Sequence, residues 1–262
     1  SIMDLNEDAG NGSVMTKNQR MLASVWARDK LTVVRHKNSK DYWIITKDRL
    51  NGNFHTYLLS STGINQTPVI SNSRQIFPDY WYGPIKCSPD SKSIISCYHE
   101  AGVFSHGAFE VATFNNETGQ ISSLFNIKQA VQIVCCTIGI EISPDSKLLY
   151  ASVHGYPTNN EGSILQYDLT LTDSLLFLNS SIIIDSTSRT AGLQIAPDGK
   201  IYGIRYLFPQ NDTLFYYLDI INDVWKRGIT CNFERYAVYL QNRKAYSNLP
   251  NFPQDLLYRF VW

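Results

Sequence analysis

Ile140-Glu141-Ile142-Ser143-Pro144-Asp145-Ser146-Lys147-Leu148-Leu149-Tyr150 is an apolar strand, a Pro-Asp turn, a lysine and a second apolar strand. The phrase recurs upstream as Ile85-Lys86-Cys87-Ser88-Pro89-Asp90-Ser91-Lys92-Ser93-Ile94-Ile95. It recurs downstream as Leu193-Gln194-Ile195-Ala196-Pro197-Asp198-Gly199-Lys200-Ile201-Tyr202. Proline presets φ at the second turn position, aspartate bonds its own backbone, and Ser or Gly accommodates the next turn position. Each phrase therefore reads as a hairpin. Pro89 and Pro144 are 55 residues apart (144 − 89), and Pro144 and Pro197 are 53 apart (197 − 144). A near-constant period of this size marks a repeat architecture.

Each unit continues into a third strand, at Phe109–Phe114, Ile164–Leu169 and Leu214–Asp219. Polar turns come after it, as in Asn115-Asn116-Glu117-Thr118-Gly119. The same frame laid upstream finds a fourth unit without the Pro-Asp pair. Its strands are Leu31–His36, Asp41–Thr46 and Phe54–Ser60, and Lys37 takes the place of Pro89. Units of four short antiparallel strands at this spacing predict the blades of a β-propeller, each needing its neighbours to bury both faces. A β-sandwich also has many short strands but gives no reason for a fixed turn phrase. The expectation is one all-β propeller domain over 1–262. Its units are 30–78, 79–133, 134–188 and 189–247, with end segments 1–29 and 248–262.

Lys plus Arg and Asp plus Glu both number 23, so net charge is +0. A nucleic-acid binder would show a basic patch or stripe, and the basic residues after Lys226 are scattered. No apolar run approaches the ~18 residues of a membrane span. The amino end shows no signal peptide, and Ser1–Asn6 reads as a lone strand. The five cysteines are expected as buried thiols. Cys87 pairs with a residue near 94, not with Cys97, and Cys135 and Cys136 face opposite sides of any strand. No Cys-x-x-Cys pair supports zinc.

Ser13-Val14-Met15-Thr16-Lys17-Asn18-Gln19, Lys30-Leu31-Thr32-Val33-Val34-Arg35-His36-Lys37-Asn38 and Asp41-Tyr42-Trp43 stand in order before the repeats. Ala196-Pro197-Asp198-Gly199-Lys200-Ile201-Tyr202, Cys231-Asn232-Phe233 and Asn248-Leu249-Pro250-Asn251-Phe252 close the chain. Together these strings resemble the propeller domain of bacterial surface proteins exported by the type nine secretion route. The resemblance implies a WD-repeat-like propeller, an extracellular or cell-surface location and no catalytic residues.

His99 and His154 each lie ten residues after their proline, with Lys47 and Tyr206 at the matching places. Zn–N bonds of ~2 Å cannot bridge adjacent blades, so no metal is expected and each ring should bond locally. No Gly-x-Ser-x-Gly elbow marks a nucleophile, and Gly10-Asn11-Gly12 does not open a helix after a strand as a phosphate cradle would. Neither a catalytic residue nor a cofactor is therefore assigned. The loops after the second strands, 47–53, 99–108, 154–162 and 206–212, should project from one face. They carry Phe104, His106, Tyr156 and Phe208, which suit a recognition surface or fold back over the sheet edges. The expected function is a binding or scaffolding propeller that takes a protein or glycan partner on this face. The alternative is a propeller enzyme, lactonase-like or glycan-cleaving, with its site at the central channel. A third reading is an assembly subunit whose blade edge pairs with another chain. Four units leave about 50 residues for end segments, so the chain is expected either as part of a larger ring or with its open edge covered by 248–262 or a second chain.

Overall fold

The computed structural model describes residues 2–4, 6–17, 30–74, 83–99, 107–128, 136–154, 162–186, 190–205, 216–245 and 249. After a short hairpin of β1 (Ile2–Asp4) and β2 (Ser13–Thr16), four antiparallel blades stand in chain order. Blade 1 holds β3 (Leu31–Arg35), β4 (Tyr42–Lys47), β5 (Phe54–Ser60), and a fourth position split between β6 (Gly63–Ile64) and β7 (Val69–Ser71). Blade 2 holds β8 (Ile85–Cys87), β9 (Ser93–His99), β10 (Gly107–Phe114) and β11 (Ile121–Lys128). Blade 3 holds β12 (Cys136–Ile142), β13 (Leu148–His154), β14 (Gly162–Asp168) and β15 (Ile182–Asp185). Blade 4 holds β16 (Thr190–Ile195), β17 (Ile201–Arg205), β18 (Tyr217–Ile221) and β19 (Phe233–Tyr239). The molecule is a four-bladed β-propeller, as the repeat predicted.

The turn phrase explains the first hairpin of every blade. Ser39, Ser91 and Ser146 take φ of 62°, 57° and 61°, and Gly199 takes 77°. Each stands two places after the Pro position, and its N–H donates to the carbonyl three residues back, at 2.8–2.9 Å. This is a type I turn closed by a left-handed residue. The aspartates cap it: Lys92 N, Lys147 N and Lys200 N donate to Asp90, Asp145 and Asp198. In blade 1 Asn38 fills that role, accepting from Lys40 N and Asp41 N. The unit without Pro-Asp thus keeps the same turn with an amide in place of the carboxylate.

Alternation along the strands sends apolar side chains into the gaps between blades. Val34, Trp43, Ile45 and Phe54 of blade 1 meet Ile85, Cys87, Ile94 and Phe114 of blade 2. Ile95, Val111 and Phe125 of blade 2 meet Ile140, Leu149, Ala151 and Tyr167 of blade 3. Leu148, Tyr150 and Ile164 of blade 3 meet Leu193, Ile195, Ile201 and Ile221 of blade 4. Among the described residues no comparable cluster joins blade 4 to blade 1. Near the axis the inner strands of blades 3 and 4 approach closely. A Cβ on Gly139 would lie 2.1 Å from the Ala191 carbonyl oxygen, so only glycine fits there.

One expectation is corrected. Ser1–Asn6 is not a lone strand, because β1 pairs with β2. A helix also lies inside blade 3, as α1 (Ser174–Asn179). Asp173 caps it by accepting from Leu175 N and Leu176 N, and buried Phe177 stacks on Tyr167 with ring centroids 5.1 Å apart. Cys87 pairs with Ile94, as the turn geometry required, and the Cys87, Cys97 and Cys231 side chains are buried.

Candidate functional site

Inner strands run toward the Pro-Asp turns and second strands run back, so each blade has a turn end and a loop end. At the turn end of the axis three side chains from three blades meet. Lys86, Glu141 and Gln194 each lie three residues before their proline. The Lys86 ammonium donates to Glu141 Oε2 at 2.8 Å and to Gln194 Oε1 at 2.9 Å. Glu141 Oε2 also accepts from Ile195 N, and Oε1 accepts from Ile142 N, both at 2.9 Å. All three residues are buried. Both oxygens of this carboxylate are therefore committed, and an ion pair fills the axis where a channel site would need a free acid or base.

A second polar cluster lies beneath the loop end, between blades 1 and 2. Lys47, the last residue of β4, reaches across to Glu110 of β10, and both side chains are fully buried. Lys47 also donates to Ser73 Oγ at 3.0 Å and to the Tyr98 hydroxyl. Glu110 accepts from Ser73 Oγ, Tyr98 OH and Arg74 N besides. Burial pulls the Lys47 ammonium down to about 8, against the opposing pull of Glu110. Burial pushes the Glu110 carboxyl up, but Lys47 and Ser73 outweigh it and hold it below the usual range. Lys30 enters the same interface, donating to the Gly83 carbonyl at 2.9 Å and to the Cys97 carbonyl.

The third cluster lies on the blade 4 side. Arg205, at the end of β17, pairs with buried Asp219 of β18 at 2.7 Å. Thr190 Oγ1 and Tyr236 N also donate to Asp219. Arg235 of β19 pairs with Asp185 of β15, tying the outer strands of blades 3 and 4. Two inter-blade ion pairs and one within blade 4 thus stiffen the floor under the loops. Lys47–Glu110 and Arg205–Asp219 are buried, while the Arg235 side chain of the third pair is 43% exposed.

Of the residues expected to bind a partner, Phe104, His106, Tyr156 and Phe208 lie outside the described residues. Tyr206 does too. Lys47 sits at the blade-equivalent place and is a buried ion-pair partner, not a loop tip. Cys136 of β12 pairs with both His99 and His154, which sets their backbones two strand spacings, roughly 10 Å, apart and joins blades 2 and 3 in one continuous sheet. Among the described residues no group of three or more His, Cys, Asp or Glu is gathered as a metal site would require.

Glu110, Glu141, Lys86, Arg205 and Asp219 were missed by sequence reasoning. Each is a charge inside a short apolar strand, as in Ile140-Glu141-Ile142. The opposite charges of Lys86 and Glu141 at one repeat position were a legible sign that they meet.

No protein-family model matches the chain, and no curated protein does. Many solved structures are similar to it. TolB from Acinetobacter baumannii is 14% identical over 82% of this chain and 44% of its own, with a TM-score of 0.42. A puromycin hydrolase is 10% identical over 74% of this chain and 28% of its own, with a TM-score of 0.49. An ancestral GH74 enzyme is 10% identical over 73% of this chain and 25% of its own, with a TM-score of 0.43. The chain spans less than half the length of each of the three. The fold assignment rests on the sheets themselves. Among the described residues no helix is long and apolar enough to cross a membrane.

Proposed function

We propose that this propeller is a non-catalytic recognition module that binds a protein or glycan partner on its loop face. The observation that carries the reading is the state of the axis. Lys86, Glu141 and Gln194 satisfy one another there, so the place where a propeller hydrolase would hold reactive groups is used for packing. The loop ends instead stand on buried ion pairs, which suits loops presented from a rigid base. The resemblance to exported propellers of the type nine route adds the proposal of an extracellular or cell-surface location.

Titration of the chain against a glycan array and immobilised bacterial envelope proteins tests the reading. A partner should bind, and changing Phe104, His106, Tyr156 and Phe208 together to Ala should abolish binding while the circular dichroism spectrum is kept. Hydrolysis of a lactone or glycoside panel, lost in a folded Glu141→Gln variant, would show the channel enzyme instead.

A further inference from the structure

We infer that a neutral carbohydrate binds a tyrosine platform on the blade 3 side of blade 4, at the loop end of β18 and β19. The inference rests on the recognition-face reading and gives that face a ligand class and a place. Tyr217 opens β18 and Tyr239 closes β19, and the two are cross-strand partners. Their ring centroids are 5.2 Å apart. Tyr236 meets the edge of Tyr217 at 5.8 Å and 87°. Tyr236 is 42% exposed and Tyr239 48%. Exposed phenol rings gathered this way offer apolar faces for sugar C–H groups and hydroxyls for sugar oxygens.

The chain holds Tyr236 there at a cost. Its φ is 54°, a left-handed value that is an outlier for a bulky side chain. Leu218 pairs with Val238 and Ile220 with Glu234, so three residues of β19 bulge opposite Asp219 alone. Tyr236 N donates to Asp219 at 2.9 Å, and the Arg205 guanidinium lies 4.0 Å from the ring centroid. Bulges re-aim side chains and cluster at functional sites. This one is anchored by a buried ion pair, and it sets the Tyr236 ring against Tyr217, which in turn meets Tyr239.

Charge selects the ligand class. Arg205 balances Asp219, and Arg235 balances Asp185. A cation would meet an arginine already stacked on Tyr236, and an anion would find both guanidinium groups engaged. A neutral polyhydroxyl ligand fits both conditions.

Calorimetry of the full chain with cello-, xylo-, manno- and chito-oligosaccharides tests the inference, with a trimethyllysine peptide and an oligogalacturonide as cationic and anionic arms. At least one neutral sugar should bind. Tyr239→Ala should weaken it about tenfold, and Tyr239→Phe should keep affinity within about threefold, because stacking and not the hydroxyl dominates. Failure of every neutral sugar, preference for a charged probe, or affinity unmoved by Tyr239→Ala would each overturn the inference. The four-loop alanine variant separates the two readings. Sugar binding kept there and lost in Tyr239→Ala upholds the platform and removes the loop tips from it. Sugar binding lost only in the loop variant overturns the platform and leaves the recognition face standing.

Discussion

Single residues decide the turns. Ser91 and Ser146 hold left-handed backbone that glycine adopts freely, and blade 4 has Gly199 at that place. An L-residue there costs on the order of 1–2 kcal/mol, so Ser91→Gly should raise stability by about 0.5–1 kcal/mol in urea unfolding. Ser146→Gly should gain less, because the Ser146 hydroxyl accepts from Asp90 N at 3.0 Å and links the turns of blades 2 and 3. Equal gains would mean that this link contributes nothing. The turns were legible because Pro, Asp and a small residue have local reasons to stand where they do. Residues whose role depends on a distant partner were not. Glu110 meets Lys47 across 63 positions of chain, and a local pattern carries no record of that.

At the scale of elements, strands were legible by alternation, and β5 was placed to the residue. Their ends were less so, as the third strand of blade 3, expected at Ile164–Leu169, is β14 at Gly162–Asp168. Helix α1 was missed because six residues are too few to show a helical period, although Asp173 before Ser174 was a capping signal. The Lys47–Glu110 pair joins β4 to β10. Glu110→Leu leaves a buried ammonium unpaired and should cost about 3–5 kcal/mol, while Lys47→Met with Glu110→Leu should cost clearly less than either single change. Glu110 also gives the wild type an acid limb. Its folded-state carboxyl is held below 4.5, so its contribution is present above that pH and lost as pH falls through the folded value. Lys47 acts in the same sense at the alkaline end. The unfolded chain holds its proton up to 10.5 and the folded one to about 8, so stability from this group rises between those values. Urea midpoints measured from pH 3 to 10 should show both limbs in the wild type and neither in the double variant. Limbs that persist there would assign them to other groups.

For the whole molecule, the period settled the architecture, because only a ring-like stack explains equal units with one turn phrase. The loop face was legible as a place, and its chemistry was not. What fills the axis was hidden, since neither Lys86 nor Glu141 looks like a plug until the blades curve together. That curvature is the central claim, because it both closes the axis and turns four loop ends to one face. Dipolar spectroscopy between spin labels introduced by a non-canonical amino acid at 92, 147 and 200 tests it most directly. These are the turn lysines of blades 2, 3 and 4. The 92–147 and 147–200 distances should be similar. The 92–200 distance should fall well short of their sum, because Lys86 and Gln194 meet across the axis. A 92–200 distance equal to that sum would mean a straight stack of sheets, with no common axis and no shared loop face.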